Sequence, residues 1–251
     1  MRIAVSDFDG TMKIGGELNG DVVGAVRAWR AAGNRFGIAT GRDLWMTVHE
    51  TDLWSIPFDF LICINGAAVY DAGRNLLAIR EFGSGLLAEL LRHPAAMASS
   101  HYLLLGSRPI RFYQRGESWF PGMDIPHAAI GFDEALELGD VAQVSLSYDN
   151  PEEAERWVRR LRADFGEHAA AFKNGRCIDV NRAEVNKATG IAAMLDSMGW
   201  EDDGLVVFGD GGNDMEMIRA YEGYTLPHGI PEVKALARGV FPDLPGLLAG
   251  V

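Results

Sequence analysis

Short apolar runs alternate with amphipathic stretches through the first third of the chain. Residues 3–5 are apolar and stop at acidic residues, which predicts a short buried strand. Residues 21–32 predict a helix. Asp21 is suited to the N-cap, Val22, Val26 and Trp29 share one face, and Gly33 ends the element. A second strand is predicted over 36–39, a helix over 43–53 and a third strand over 60–64. Strand–helix–strand alternation argues for a parallel sheet with helices on both faces.

The last third resumes that rhythm. Residues 187–198 carry Ile191, Leu195 and Met198 on one face and stop at Gly199, so they predict a helix. The run 205–208 is apolar throughout, the pattern of a buried central strand. A Gly-rich turn, a helix near 214–220 and short strands near 224–226 and 240–241 follow.

The middle differs. Val144, Leu146 and Tyr148 alternate with polar residues, the pattern of a sheet wetted on one face. Asn150-Pro151-Glu152-Glu153 is a helix start with cap, proline and first-turn acids in order, and Ala154, Trp157, Val158, Leu161 and Phe165 mark its apolar face. Candidate strands lie near 102–105, 110–113 and 176–180. The expected architecture is an α/β fold: a Rossmann-like parallel sheet core formed by 1–82 and 181–251, with an α+β domain inserted at 83–180.

Composition narrows the functional classes. The chain has 251 residues and a formal net charge of −12, which disfavours nucleic acid and membrane surfaces as general partners, both being anionic. As a whole-surface sum, it says little about one metal-lined cleft. The start has no secretory pattern and no apolar run reaches spanning length, so the expected location is cytoplasmic. Cys63 and Cys177 lie in apolar segments and read as reduced core thiols. The histidines are scattered without a zinc-ligand spacing.

Chemistry concentrates where the apolar runs end. Asp7-Phe8-Asp9-Gly10-Thr11 follows the first strand, Thr40-Gly41-Arg42 the second and Asn65-Gly66 the third. Gly209-Asp210-Gly211-Gly212-Asn213-Asp214 follows the run 205–208. Asp-Gly alone is an ordinary turn pair. Polar, Gly-containing turns after four strands of one parallel sheet instead describe a site, because ligands bind beyond the carboxyl ends of such strands. Asp7, Asp9 and Asp210 are hard oxygen donors whose crowded charge calls for a cation, and Mg²⁺ fits. Thr40, Asn65 and Lys187 are donors suited to phosphoryl oxygens, so the set suggests phosphoryl transfer.

With these motifs and Asn186-Lys187-Ala188-Thr189-Gly190 in order, the sequence resembles the haloacid dehalogenase (HAD) superfamily, and within it the Cof-type sugar-phosphatase-like branch. The resemblance covers essentially the whole core. It implies a Mg²⁺-dependent phosphatase acting on small phosphorylated metabolites, with Asp7 as the nucleophile that forms an aspartyl-phosphate and Asp9 as general acid and base. It implies metal ligation by Asp7, the Asp9 backbone carbonyl and Asp210, with Asp214 a further or more distant ligand. Thr40 and Lys187 would stabilise the transferring group, while Gly10, Gly41, Arg42, Asn65 and Asn213 would complete the phosphate surroundings. Thr40 and Lys187 are separated by 146 residues, more than the core needs, which places the insertion after the second motif and makes it resemble a C2B cap. Two positions depart from the family pattern: Ala188, where many relatives carry Gly, and His228-Gly229, where relatives commonly carry Asn-Ala.

A phosphomutase or phosphotransferase would use the same nucleophile with a sugar hydroxyl as acceptor. A non-catalytic phosphometabolite-binding module is disfavoured by the presence of both Asp9 and Lys187. The expected partner is a small phosphorylated metabolite, and the expected state a monomer or small homo-oligomer. In the inserted domain, 108–119 concentrates basic and aromatic residues. It reads either as recognition of a second anionic group, with Trp119 stacking on a sugar ring, or as a strand with a solvated charged face.

Overall fold

A computed structural model describes residues 1–115 and 124–251. The chain divides into two compact units, one formed by 1–78 with 186–251 and the other by 79–185.

The first segment opens with β1 (Ile3–Ser6), all four residues buried. A small hairpin, β2 (Lys13–Ile14) with β3 (Glu17–Leu18), follows. Then come α1 (Val22–Ala31), β4 (Arg35–Ala39), α2 (Leu44–Trp54), β5 (Phe60–Cys63), β6 (Ala68–Asp71) and β7 (Leu76–Ile79). Asp21 caps α1 by accepting from the Gly24 N–H, and Asp43 caps α2 by accepting from that of Met46.

The insertion contains α3 (Ser84–Arg92), α4 (Pro94–Ala98), β8 (His101–Leu105), β9 (Ile110–Gln114), β10 (His127–Ala129), α5 (Phe132–Leu136), β11 (Gln143–Ser147), α6 (Pro151–Phe165), β12 (Ala169–Asn174) and β13 (Cys177–Arg182). The last segment holds α7 (Lys187–Met198), β14 (Leu205–Phe208), α8 (Met215–Ala220), β15 (Glu222–Thr225), α9 (Pro231–Leu236), β16 (Gly239–Val240) and α10 (Leu244–Gly250).

The first unit is built on an eight-stranded sheet in the order β16-β15-β14-β1-β4-β5-β6-β7. From β16 to β5 every pairing is parallel. Ile3 and Val5 point into a core completed by Ile191 and Met194 of α7, Met217 and Ile218 of α8 and Val233 of α9. α1 and α10 pack together on the other face. The parallel sheet with helices on both faces thus matches the expectation from sequence. It extends further than expected, because β6 pairs antiparallel with β5. The chain reverses at 64–66, and the apolar run Ala67-Ala68-Val69-Tyr70 is buried.

In the second unit a six-stranded sheet runs β10-β9-β8-β11-β13-β12. Val144 and Leu146 of β11 lie on the face covered by helices, with Tyr102, Leu104, Ile178 and Val180 beside them. Tyr148, expected within that strand, falls just after it and donates its hydroxyl to the Ala95 carbonyl at 3.0 Å. β10, β12, α3, α4 and α5 have no counterpart in the sequence reading. Cys63 is buried, Cys177 is half-buried, and both are free. No helix among the described residues is long and apolar enough to cross a membrane.

Candidate active site

β1 ends at Ser6, and the Asp7 N–H continues the ladder by donating to the Phe208 carbonyl of β14 at 2.8 Å. Asp7 therefore leaves the sheet at its centre, where its side chain is enclosed: the residue is only 5 % exposed. Lys187 is the first residue of α7, placed there by a reciprocal cap. Asn186 accepts from the Thr189 N–H, and Thr189 Oγ1 accepts from the Asn186 N–H. The lysine is 0 % exposed, and its Nζ donates to Asp7 Oδ1 and Asp214 Oδ1, each at 2.6 Å.

The turn after β14 is organised by Asp214. Its Oδ2 accepts from the N–H groups of Asp210 and Gly211, at 2.9 and 2.8 Å. Asp210 in turn accepts from Thr11 Oγ1 at 2.7 Å through Oδ1. Asp7, Asp210 and Asp214 each bring one carboxylate oxygen within 4.8 Å of the others. Gly10 lies against this group with φ +88°, and a Cβ there would fall 2.6 Å from both Asp210 carboxylate oxygens.

Three carboxylates facing one ammonium leave an excess of negative charge in a buried place. Burial pushes the Asp7 carboxyl up to about 8 against the pull of Lys187, and Asp214 and Asp210 push in the same direction. Asp210 is also raised, chiefly by burial. This donor set fits a hard divalent cation, which would supply the missing charge and favour the ionised carboxylates. Asp214 spends both its oxygens on protein donors, whereas Asp7 Oδ2 and Asp210 Oδ2 are not engaged by Lys187 or Thr11.

The other strand-end turns meet this one. Thr40, buried after β4, donates its N–H to the Ile62 carbonyl at 2.8 Å, and its Oγ1 accepts from the Arg42 N–H. Asn65 follows β5 in a left-handed conformation, φ 54°, directly after Ile64 at φ 56°. A β-branched residue in that region is strained, and such strain persists only where the surroundings enforce it. Here Gly66 (φ +105°) completes the turn, because a Cβ would lie 2.1 Å from the Asn186 carbonyl oxygen. The Asn65 side chain consequently accepts from Asn213 Nδ2 at 3.0 Å.

Asp9 is not part of that cluster. Its carboxylate, 53 % exposed, is gripped by the Arg42 guanidinium through Nε–Oδ2 at 2.6 Å and Nη2–Oδ1 at 2.8 Å. Phe8, between the two acids, is buried and lies beneath that guanidinium, 5.3 Å from ring centroid to Cζ.

The structure thus gathers Asp7, Lys187, Asp210 and Asp214 in one hydrogen-bonded cluster and Thr40, Arg42, Asn65 and Asn213 in the adjoining turns. It adds residues that sequence reasoning did not select. Thr11 holds Asp210, and the threonine of the Asp-Gly-Thr run was its only signal. His228 donates Nε2–H to the Gly10 carbonyl at 2.7 Å and stands 3.9 Å from Asp210. Arg108 and Arg111 in the inserted unit both pair with Asp140, at 2.9 and 2.7 Å, a structural use of that basic segment. Trp119 lies outside the described residues.

Residues 4–244 match the family of haloacid dehalogenase-like hydrolases. The chain belongs to that family. A Haemophilus influenzae protein named provisionally as a phosphatase is 29% identical over 236 residues, covering 86% of this chain and 81% of the relative. A Klebsiella pneumoniae protein named HMP-PP phosphatase is 24% identical over 252 residues, with 93% and 87% covered. Among solved structures, a HAD subclass IIB sugar phosphatase superposes with a TM-score of 0.82 at 20% identity, over 100% of this chain and 97% of that one. A haloacid dehalogenase-like hydrolase from B. subtilis gives 0.83 at 17%, over 99% and 98%. These structural likenesses concern the fold. The family and its curated relatives make this chain a HAD-type phosphatase, acting on phosphate monoesters.

Proposed function

We propose that this HAD phosphatase hydrolyses small phosphorylated metabolites, sugar phosphates or related monoesters, in a Mg²⁺-dependent reaction through an aspartyl-phosphate on Asp7. The observation that carries the proposal is the buried Lys187 bound to Asp7 and Asp214 at 2.6 Å beside Asp210. The lysine fixes one oxygen of Asp7 and leaves the other to attack phosphorus. A P–O bond forms to Asp7 while the bond to the leaving oxygen breaks, and Asp9 protonates that oxygen. Asp9 then takes a proton from water, which attacks the aspartyl-phosphate, releases inorganic phosphate and restores Asp7.

Mg²⁺ would be held by Asp7, Asp210 and the Asp9 backbone carbonyl, neutralising charge on the phosphoryl oxygens. Asp214 keeps Lys187 and the turn at 210–211 in place. Lys187 and Thr40 provide donors to the phosphoryl group, with Asn65, Asn213 and the turns at Gly10, Gly41 and Arg42 around it. A small phosphorylated substrate is supported by relatives named for HMP-PP and for sugar phosphatase activity.

The test is a panel of phosphate esters assayed with Mg²⁺ for wild type and Asp7→Asn. The expected outcome is phosphate release by wild type and a loss of about 10³-fold or more in the variant, with its fold intact by circular dichroism. Near-normal turnover in Asp7→Asn refutes the mechanism.

A further inference from the structure

Glu50 sits in the middle of α2, away from every motif described above, and it is only 6 % exposed. Enclosing a carboxylate so far is costly unless its oxygens are matched by donors. Here they are. Lys13 Nζ reaches both oxygens at 2.7 and 2.8 Å, Arg42 Nη1 reaches Oε1 at 3.0 Å and Trp54 Nε1 reaches Oε2 at 3.2 Å. Although burial raises its pKa, Lys13 and Arg42 outweigh that and hold the carboxyl below its ordinary range.

Both cations have a second attachment, and both attachments lie in the loop that carries the acids. Arg42 uses its remaining edge to fork onto Asp9. Lys13 closes the loop through its backbone, donating to the Phe8 carbonyl and accepting from the Gly10 N–H, both at 2.9 Å. The result is a row of alternating charges, Asp9–Arg42–Glu50–Lys13, whose two ends are joined through the short stretch of backbone between them. One buried carboxylate on α2 therefore fixes both the loop and the guanidinium that sets the Asp9 rotamer. A helix that needed only packing would be served by an apolar residue at this position.

We infer that Glu50 is a positioning residue for proton delivery: through Arg42 and Lys13 it holds the Asp9 carboxyl in the orientation that serves the leaving oxygen. The inference rests on the reading of Asp9 as general acid. Removing the Glu50 charge has one of two mechanical results. Arg42 either closes more tightly on Asp9 or swings free of it. Both impair proton delivery and leave the cluster of Asp7, Lys187, Asp210 and Asp214 in contact.

That consequence separates positioning from general support of the fold. An alkyl phosphate needs its leaving oxygen protonated, whereas p-nitrophenyl phosphate releases a stable phenolate without that proton. The experiment compares kcat/KM for both esters, with Mg²⁺, in wild type, Asp9→Asn and Glu50→Gln. The expected result for Glu50→Gln is a loss of about tenfold or more on the alkyl ester and within about twofold on the aryl ester. Asp9→Asn should show the same selectivity more strongly.

If Glu50→Gln does not fold, the double variant Lys13→Met/Glu50→Gln removes both charges of that pair while still depriving Arg42 of its anchor. The selective loss should persist there. Equal losses on the two esters, or none, overturn the assignment of Glu50. Equal losses in Asp9→Asn overturn the acid role of Asp9 and the inference with it. A selective loss in Asp9→Asn beside a uniform one in Glu50→Gln overturns the inference alone.

Discussion

Lys187→Met tests the electrostatic heart of the site, because methionine keeps most of the length of the lysine and removes its charge. In the native protein one ammonium is shared by two carboxylates at 2.6 Å, in a place with no exposure. Without it, Asp7, already pushed up to about 8, stays protonated at pH 7, and the other two carboxylates face one another within 4.8 Å with no counter-charge, a like-charge pair that costs about 3 kcal/mol at an effective dielectric of about 20. The protein can escape part of this by taking up a proton. Neutralising a carboxyl of ordinary pKa costs about 4 kcal/mol at pH 7 and about 2 kcal/mol at pH 5. The expected destabilisation is therefore about 3 to 4 kcal/mol at pH 7, shrinking toward about 2 kcal/mol at pH 5. The sign follows from the escape route, since protons are cheaper at lower pH. Urea unfolding in the presence of a chelator measures it, followed by tryptophan fluorescence, because Trp29, Trp45, Trp54 and Trp200 all belong to the first unit. Added Mg²⁺ should restore more stability to the variant than to wild type. A loss below about 1 kcal/mol, or one equal at the two pH values, refutes the account of Lys187 as the charge that keeps these acids together.

Two further outcomes follow from the packing. Gly66→Ala places a Cβ 2.1 Å from the Asn186 carbonyl at a backbone φ of +105°, so thermal melting should reveal a loss above about 2 kcal/mol, with turnover reduced through the displaced Lys187. His101, only 4 % exposed, has its pKa lowered to about 4 by burial and by Arg176, so the unfolded chain binds its proton first as pH falls below about 6.5. Wild type should accordingly lose about 2 kcal/mol between pH 7 and pH 5 from this group, and His101→Gln should flatten that part of the stability profile. An unchanged slope in the variant removes His101 as its source.

The legible part of this protein is its strand ends. Ile3, Val5, Phe36, Ile38 and the run Leu205–Phe208 are apolar and fully buried, so the polar residues after them could be placed on one sheet edge from pattern alone. The caps at Asp21 and Asn150 were similarly readable, because each depends on a side chain and backbone within four residues, whereas the reciprocal cap of Asn186 with Thr189 was not singled out. Long-range side-chain geometry was not. Sequence groups Asp7 with Asp9, whereas the structure turns one to Lys187 and the other to Arg42. Sequence offers Asp214 as a further or more distant metal ligand, but not its second duty of accepting from Lys187 and the backbone amides of Asp210 and Gly211. Glu50 carries no local signal, since its partners Lys13 and Arg42 lie 37 and 8 residues away. The left-handed Ile64 is equally silent, as nothing in an apolar residue announces a backbone forced by Gly66 and Asn186.

The strand order has a consequence for how the protein comes into being. β1 lies between β4, which follows it closely, and β14, which the ribosome delivers about 200 residues later. Until then β1, the strand that leads to Asp7, presents a bare edge, open to pairing with another chain. The whole inserted unit, with its own sheet and core, is synthesised in that interval and can be complete before the larger sheet is. Lys187 arrives with the same late segment that closes the edge. A nascent or truncated chain thus holds Asp7 without its lysine or Asp210, and the cluster of charges comes together only when the sheet itself is sealed.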